Sequence, residues 1–133
     1  MIVVDSSVWV DYFNGVETPA SDRLDALLDL EPLAVGDIIL TEVLQGFRHN
    51  RDYRTAKVFL TSLTVVDMLG YDLAIKAADN FHTLRKRGIT VRKTADIIIA
   101  TCCIEKKLSL LYSDRDFDVC CKHLGLRNAL PDA

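Results

Sequence analysis

Short apolar runs alternate with amphipathic stretches from one end of this chain to the other. Apolar runs of strand length occupy residues 2–4, 33–35, 64–69 and 110–112, and between them apolar side chains recur at helical spacing. This alternation is typical of βα units, in which helices cover a sheet of parallel strands. It predicts an α/β fold of three layers, α/β/α, with a central, mostly parallel sheet flanked by helices.

The boundaries of several helices are marked by residues that favour helix ends. Asp5 and the two serines after it are capping residues ahead of a helix that Gly15 stops. The helix predicted over residues 72–87 ends in three basic residues, which suit its negative end. Residues 96–108 are apolar on nearly every side, which predicts a central, buried helix. Further elements are predicted as helices at residues 21–30, 37–47, 53–63 and up to about 124, and an edge strand at 128–130.

The length and composition predict one domain over residues 1–133. A chain of 133 residues with 50% hydrophobic residues is large enough to form a core without disulfides or a structural metal. The four cysteines form two adjacent pairs rather than zinc-ligand spacings, so we interpret them as reduced structural thiols. Apolar runs are far shorter than the ~20 residues that cross a bilayer, and no basic leader precedes Asp5, so we expect a cytoplasmic protein without membrane contact.

Charge is distributed unevenly along the chain. The formal net charge is −3, but residues 1–47 carry nine acids and one base, and the remainder carries ten acids and fifteen bases. An acidic region beside a basic one suits a metal site next to a polyanion, although solvated helix faces give the same pattern.

Acidic residues stand directly against the most apolar segments. Asp5 follows one predicted strand, Asp114 follows another, and Asp96 precedes an isoleucine run. Ligands of parallel sheets bind at the carboxyl ends of strands, so these acids are expected in one crevice, with Glu42 on a neighbouring helix. Converging carboxylates repel unless a cation compensates them, and an all-oxygen set favours Mg²⁺ or Mn²⁺ over zinc.

Each acid also has a simpler explanation. Asp5 and Asp96 are good helix N-caps, Glu42 suits a solvated helix face, and at least one acid of residues 114–118 is expected to cap the following helix. Capping alone does not require Asp at two strand ends and beside an isoleucine run, so the set favours a functional site.

Four segments of the chain together resemble a known family. They are MIVVDSSVWVDYF at residues 1–13, LTEVLQG at 40–46, TADIIIAT at 94–101 and LLYSDRDF at 110–117. In this order and spacing the sequence resembles the PIN-domain ribonucleases, and within them the VapC-type toxins of bacterial and archaeal toxin–antitoxin pairs. The resemblance covers the chain from end to end and implies a PIN-like fold.

The resemblance also implies roles for particular residues. Asp5, Glu42 and Asp96 match three acids of the family. The fourth acidic position admits either Asp114 or Asp116. Asp118 is then a surface residue. Ser7 matches a small hydroxyl residue that orients a ligand or water, although it is equally a capping serine. The implied catalytic residues are Asp5, Glu42, Asp96 and Asp114, and the implied metal ligands are Asp5, Asp96, Asp114 and Asp116.

The resemblance further implies an activity and partners. It implies an endoribonuclease that uses one or two Mg²⁺ or Mn²⁺ ions to activate a water, cleaves transfer or ribosomal RNA and so inhibits translation. It implies a homodimer and a small antitoxin protein that occupies a groove. The residues considered for that groove, which are alternatively core residues, are Trp9, Tyr12, Phe13, Leu44 and Phe47.

Basic residues near the acids are candidates for phosphate contacts. Arg92 and Lys93 precede Asp96, and Arg115 lies between two acids, where it contacts the RNA or pairs with a carboxylate. Ordinary solvation is the alternative for each of them. Two further groups are considered for the same role, Arg85, Lys86 and Arg87 and, after the Glu42 segment, Arg48, Arg51 and Arg54.

Other classes of protein share parts of this pattern. A receiver-like phospho-acceptor domain requires two adjacent acids after the first strand and a late Lys-Pro, but Ser6 follows Asp5 and Lys-Pro does not occur. A haloacid-dehalogenase-like phosphatase requires Asp where Ser7 stands. A catalytically inactive PIN-like RNA-binding protein is the remaining alternative, and acids at all four positions argue against it.

Overall fold

The computed structural model describes residues 1–130 of the chain. Its centre is a five-stranded sheet in the order β3-β2-β1-β4-β5, and every neighbouring pair is parallel. The strands are β1 (Ile2–Val4), β2 (Leu33–Gly36), β3 (Thr64–Val66), β4 (Ser109–Leu111) and β5 (Arg127–Asn128). The three-layer α/β architecture predicted from the alternation of apolar runs is confirmed.

Helices connect the strands, as right-handed βα units require. Within the described residues they are α1 (Ser6–Phe13), α2 (Pro19–Leu27), α3 (Asp37–Gln45), α4 (Asn50–Thr61), α5 (Tyr71–Lys86), α6 (Thr94–Glu105) and α7 (Asp118–Leu124), with a 3₁₀ turn at Arg115–Phe117.

The core lies around the middle of the sheet. Val3 and Val4 of β1 are fully buried, and so are Ile99 and Ala100 of α6. The even apolar character of α6 thus corresponds to a helix that is covered by the sheet on one side and by α5 on another. This placement fixes the amino end of α6 beside the carboxyl end of β1.

Several element boundaries differ from the predicted ones. Helix α4 begins at Asn50 rather than residue 53, because Asn50 and Asp52 suit a first turn. Helix α6 begins at Thr94, with Lys93 as its N-cap, so Asp96 lies in the first turn and the N-cap explanation for it is wrong. Strand β5 ends at Asn128, whose side chain accepts the Leu130 N–H, so the edge strand predicted at 128–130 is displaced.

Strand β3 is shorter than predicted because the chain turns away to meet an acid of α3. Asp37 Oδ1 accepts the N–H groups of Met68 at 3.0 Å and Ile38 at 2.9 Å. Met68 then packs over Gly36, where a Cβ would lie 2.0 Å from the Met68 sulfur, so only glycine fits. We refer to Asp37 with these two donors as the Asp37 clamp.

The four cysteines are free thiols, three of them buried, as predicted. Burial raises the pKa of the Cys120 thiol to about 12, which keeps it protonated and unreactive. In residues 1–130 no helix combines the length and the apolar character that crossing a membrane requires.

Candidate active site

The carboxyl ends of β1 and β4 lie side by side and bring two predicted site acids to one edge of the sheet. The Asp5 N–H donates to the Leu111 carbonyl at 2.9 Å, which ties the ends of the two strands together. Asp114 follows three residues after Leu111. The expectation that Asp5 and Asp114 meet at strand ends is therefore met, and the charge of Asp114 acts on Asp5.

Three carboxylates form the tightest group at this edge. One oxygen each from Asp96, Asp114 and Asp116 lies within 4.8 Å of the other two. Asp114 Oδ1 accepts the Asp116 N–H at 3.0 Å, which folds the 3₁₀ turn back and carries Asp116 toward Asp96. The structure thus places both residues admitted for the fourth acidic position in one cluster, which we call the acidic trio.

Of the three acids, Asp96 has the least favourable surroundings for a charged carboxylate. It is only 7% exposed, and its Oδ2 is buried without a hydrogen-bond partner in the described part of the chain. Its pKa is raised to about 6, first by burial and then by the charges of Asp5, Asp114 and Glu42, while Lys93 opposes the shift. A buried carboxylate oxygen without a donor costs free energy, so this atom calls for a cationic partner.

Asp5 lies beside the trio and is also buried, with 4% exposure. Burial raises its pKa, the Ser7 hydroxyl that donates to Oδ2 at 2.9 Å lowers it, and the Asp114 charge raises it further. Ser7 Oγ also lies 3.3 Å from Ser113 Oγ, which links the two strand ends through side chains. Asp5 is the N-cap residue of α1, as its capping alternative predicted, but its side chain makes no capping hydrogen bond.

Glu42 reaches the same edge from α3. Its side chain is half-buried, and burial together with the Asp5 charge raises its pKa, whereas the Ser6 hydroxyl and Lys93 lower it. Ser6 donates to Oε1 at 3.3 Å. Ser6 and Ser113 were not identified as site residues from the sequence. Their position directly beside a strand-end acid is the signal that points to them.

These side chains fit a hard divalent cation. The trio offers carboxylate oxygens, one of which is buried and unpaired, and two further acids add negative charge from Asp5 and Glu42. Mg²⁺ and Mn²⁺ prefer oxygen ligands of this kind. The arrangement concentrates negative charge at a point where an ion can neutralise it.

The predicted RNA-contacting residues fall into two groups. Lys93 lies close enough to Glu42 and Asp96 to lower the pKa of both, and its neighbour Arg92 is exposed. Arg115 is also exposed and lines a cleft with Thr18 and Tyr112. Across residues 1–130 Arg115 makes no ion pair within 4.0 Å, so the structure does not show the carboxylate pairing considered for it.

Other residues considered for roles near the site lie elsewhere. Trp9 is fully buried, so it belongs to the core rather than to an open groove, whereas Phe13 and Phe47 line a surface cleft. Asp118 is exposed as expected, and its carboxylate accepts the Tyr112 hydroxyl at 2.7 Å.

Comparison with known proteins identifies the family. The model of the PIN domain family matches residues 2–122. Ribonuclease VapC11 of Mycobacterium tuberculosis and the VapC ribonuclease Mb1587 of Mycobacterium bovis are each 31% identical over 134 residues, covering 97% of this chain and 98% of theirs. The chain belongs to the PIN domain family and, within it, to the VapC ribonucleases. The resemblance found in the four sequence segments is confirmed, and the receiver-like and phosphatase-like alternatives are wrong.

Solved structures share the fold of this PIN domain. VapBC2 from Rickettsia felis, bound to a DNA fragment from its promoter, gives a TM-score of 0.76 at 18% identity and covers 96% of this chain and 97% of that one. VapC20 from Mycobacterium tuberculosis, described as a sarcin-ricin loop cleaving toxin, gives a TM-score of 0.70 at 19% identity over 98% and 100%. At this level of identity the likeness establishes the fold alone.

Proposed function

We propose that this PIN domain, residues 1–133, is the toxin of a toxin–antitoxin pair and acts in the cytoplasm as a metal-dependent endoribonuclease. It hydrolyses phosphodiester bonds of transfer or ribosomal RNA and so inhibits translation. The observation that carries the proposal is the buried, unpartnered Oδ2 of Asp96 within the acidic trio. The ribonuclease names of the relatives and the cleavage described for VapC20 support the choice of RNA as substrate.

The cation of this site is Mg²⁺ or Mn²⁺, as one or two ions. Asp96, Asp114 and Asp116 would hold it, and Asp5, whose pKa the Asp114 charge raises, would be a further ligand. When bound, such an ion lowers the pKa of a water and neutralises charge on the scissile phosphate.

The protein side chains position and activate the reactants. Glu42 is half-buried, and its raised pKa suits a residue that receives a proton from the attacking water. The Ser7 hydroxyl holds the Asp5 carboxylate in a fixed orientation, and Ser6 does the same for Glu42. Water reaches the phosphodiester directly, so no covalent intermediate with the protein forms.

Basic residues bind the RNA around this acidic centre. Arg92 and Lys93 lie at the amino end of α6, next to the trio, and Arg115 projects from the 3₁₀ turn between two of its acids. Contacts with phosphates neutralise charge on the RNA and release counterions, so binding weakens as salt rises. Replacing Arg92 or Lys93 with Ala should weaken RNA binding and reduce its salt dependence.

The proposed partners follow from the family. VapBC complexes are among the solved structures that share the fold, and some of them are bound to DNA. By analogy this chain forms a homodimer and is held inactive by a small antitoxin protein.

The cleavage experiment compares wild-type protein with the Asp96→Asn variant. Purified wild type should cleave RNA with Mg²⁺ or Mn²⁺ and stop when the metal is chelated, and Asp96→Asn should lose at least about a thousandfold of the rate, as removal of a key charged group does. Asp37→Asn is the matched control, because it changes an acid in the first turn of another helix and keeps an oxygen acceptor for the Asp37 clamp.

Expression in cells tests the same claim without choosing a substrate. Growth arrest with discrete new RNA 5′ ends is expected for wild type and not for Asp96→Asn. Cleavage that persists in purified Asp96→Asn would contradict the role of Asp96. Wild-type protein that binds RNA and never cleaves it would instead support the inactive RNA-binding alternative.

A further inference from the structure

Two of the three acids in the acidic trio lie on one short connection. Strand β4 ends at Leu111 and α7 begins at Asp118, and the residues between them include Asp114 and Asp116. The Asp116 N–H donates to Asp114 Oδ1 at 3.0 Å, and the Phe117 N–H donates to the Asp114 carbonyl at 3.2 Å. These two hydrogen bonds shape the turn, but neither attaches it to a neighbouring element.

A side-chain hydrogen bond spans the connection. The Tyr112 hydroxyl donates to Asp118 Oδ1 at 2.7 Å, and so joins the residue directly after β4 to the first residue of α7. Asp114 and Asp116 both lie inside the loop that this bond closes. A hydrogen bond from a neutral phenol to a carboxylate is of the strong, charge-assisted kind. We refer to it as the Tyr112–Asp118 bond.

The Tyr112 side chain is fixed from other sides as well. It is only 5% exposed, and its ring centroid lies 5.3 Å from that of Phe117, which is itself buried. Its hydroxyl oxygen also lies 3.2 Å from Cys121 Sγ, one turn further along α7. Sulfur is a weak hydrogen-bonding group, so Asp118 is the main partner of the hydroxyl. The side chain of Tyr112 is therefore a firm point from which the turn extends.

The acidic trio needs a turn that is held in place. One oxygen each from Asp96, Asp114 and Asp116 lies within 4.8 Å of the other two, and like charges at this separation repel. Without a restraint, this repulsion favours movement of the turn away from Asp96. A site binds its ion more tightly when its ligands are in position beforehand, because less ordering accompanies binding.

We propose that Tyr112 and Asp118 are positioning residues, which hold the turn of Asp114 and Asp116 against α7 and keep the acidic trio in place for a cation. The inference rests on the metal-dependent function proposed above, which it extends. The two residues act through the turn and are not themselves ligands of the ion. Asp118 is exposed, as expected of a surface residue, and its effect on the site comes from its hydrogen bond.

Small substitutions separate the hydrogen bond from the packing around it. Tyr112→Phe removes the hydroxyl and keeps the ring against Phe117. Asp118→Ala removes the acceptor, whereas Asp118→Asn keeps an oxygen acceptor and loses the charge. Asp37→Ala is the stability control, because it disturbs the fold at the Asp37 clamp and does not alter this turn.

Calorimetric titration of Mn²⁺ into the metal-free proteins at pH 7 is the first measurement. Tyr112→Phe and Asp118→Ala should bind the ion about tenfold more weakly than wild type, as is typical when a group that orients metal ligands is removed. Asp118→Asn should stay within about threefold of wild type. Asp37→Ala should bind the ion as wild type does, although it is less stable.

Hydrogen exchange of backbone amides, followed by NMR in EDTA, examines the turn without any ion. The Asp116 and Phe117 N–H groups should exchange about 3- to 10-fold faster in Tyr112→Phe than in wild type, because local opening of the turn then costs less. Asp118→Asn should exchange at rates close to those of wild type. This measurement reports on the turn itself rather than on the overall stability of the fold.

Three results would overturn the inference. The first is equal Mn²⁺ affinity, or equal exchange at Asp116 and Phe117, in wild type and Tyr112→Phe. The second is a loss of affinity in Asp118→Asn as large as in Asp118→Ala, because the charge would then account for it. The third is a loss in Asp37→Ala as large as in Tyr112→Phe, because general destabilisation would then account for it.

Failure of the proposed function gives a different result. Wild-type protein that binds no Mn²⁺ contradicts the metal-dependent function. The exchange rates then decide the inference by themselves. Faster exchange in Tyr112→Phe supports a Tyr112–Asp118 bond that positions the acids of the turn, and unchanged exchange overturns it.

Discussion

Asp37 and Asp96 lie at similar positions in two helices, but the groups around their carboxylates differ. Each lies in the first turn of a helix beside the carboxyl edge of the sheet. Asp37 Oδ1 accepts two backbone N–H groups and closes the turn after β3. Asp96 Oδ2 is buried without a donor in residues 1–130 and faces the charges of other acids. The protein thus supplies the partners of one acid and, within residues 1–130, none for the buried oxygen of the other.

The comparison shows how a structural acid differs from a functional one. A carboxylate that accepts backbone N–H groups stabilises the fold at neutral pH. A buried carboxylate that faces other carboxylates destabilises the protein until a counterion binds. Position in the chain does not distinguish the two, because both acids lie in the first turn of a helix. Hydrogen-bond partners do distinguish them.

The largest expected effect on stability comes from breaking the Asp37 clamp. Asp37→Ala leaves the buried N–H of Met68 without an acceptor, which should lower the free energy of unfolding by about 1–3 kcal/mol. Urea denaturation of the metal-free protein measures this value. Asp37→Asn keeps an acceptor and should lose less, and equal losses in the two variants would contradict the clamp.

At the acidic trio, a substitution is expected to raise the free energy of unfolding rather than lower it. Asp96→Asn removes one charge from a set of repelling carboxylates and should raise the free energy of unfolding of the metal-free protein by about 1–2 kcal/mol. Added Mg²⁺ should stabilise wild type and have less effect on the variant. A clear destabilisation by Asp96→Asn in EDTA would show that this carboxylate has a structural partner.

The pH dependence of stability should follow the raised pKa of Asp96. Because its pKa rises from 3.8 to about 6 on folding, the folded chain holds more protons than the unfolded chain between these values. The free energy of unfolding of the metal-free protein should therefore fall by about 1–2 kcal/mol as pH rises from 4 through 6, and Asp96 should add no further change above about pH 7. Denaturation at several pH values checks this, and Asp96→Asn should have a flatter profile.

The smallest expected effect comes from Ser7. Its hydroxyl lowers the pKa of Asp5, so Ser7→Ala should raise that pKa and shift the acidic limb of the pH–rate profile by about half a unit toward higher pH. Stability should change by less than about 1 kcal/mol. Ser7→Thr retains a hydroxyl and should restore the profile, whereas a uniform loss of rate at every pH would indicate a different role.

Much of the fold follows from features that the sequence displays directly. A short, continuous apolar run marks β1, and a longer segment that is apolar on nearly every side marks α6. The parallel order of strands then places Asp5 and Asp114 at one edge. The prediction that these acids meet depends only on this rule of α/β sheets. This prediction therefore holds even if the predicted element boundaries are wrong by several residues.

Details that depend on side-chain partners could not be read from the sequence. The sequence admitted Asp114 or Asp116 as the fourth acid. In the structure the Asp116 N–H donates to the Asp114 carboxylate, and this turn places both acids in one cluster. The start of α6 at Thr94 and the contact of Ser6 with Glu42 likewise depend on neighbours far along the chain. Phe13 and Phe47, which the sequence suggested for a groove, do line a common cleft, whereas Trp9 of the same set is buried.

Calorimetric titration of Mn²⁺ into the metal-free protein at pH 7 tests the central claim most directly. Wild type and Asp37→Asn should bind the ion with similar affinity, and Asp96→Asn should bind it at least about tenfold more weakly, because the buried anionic oxygen is lost. Equal affinity for wild type and Asp96→Asn, or no heat of binding to wild type, would contradict the claim that the acidic trio requires a divalent cation.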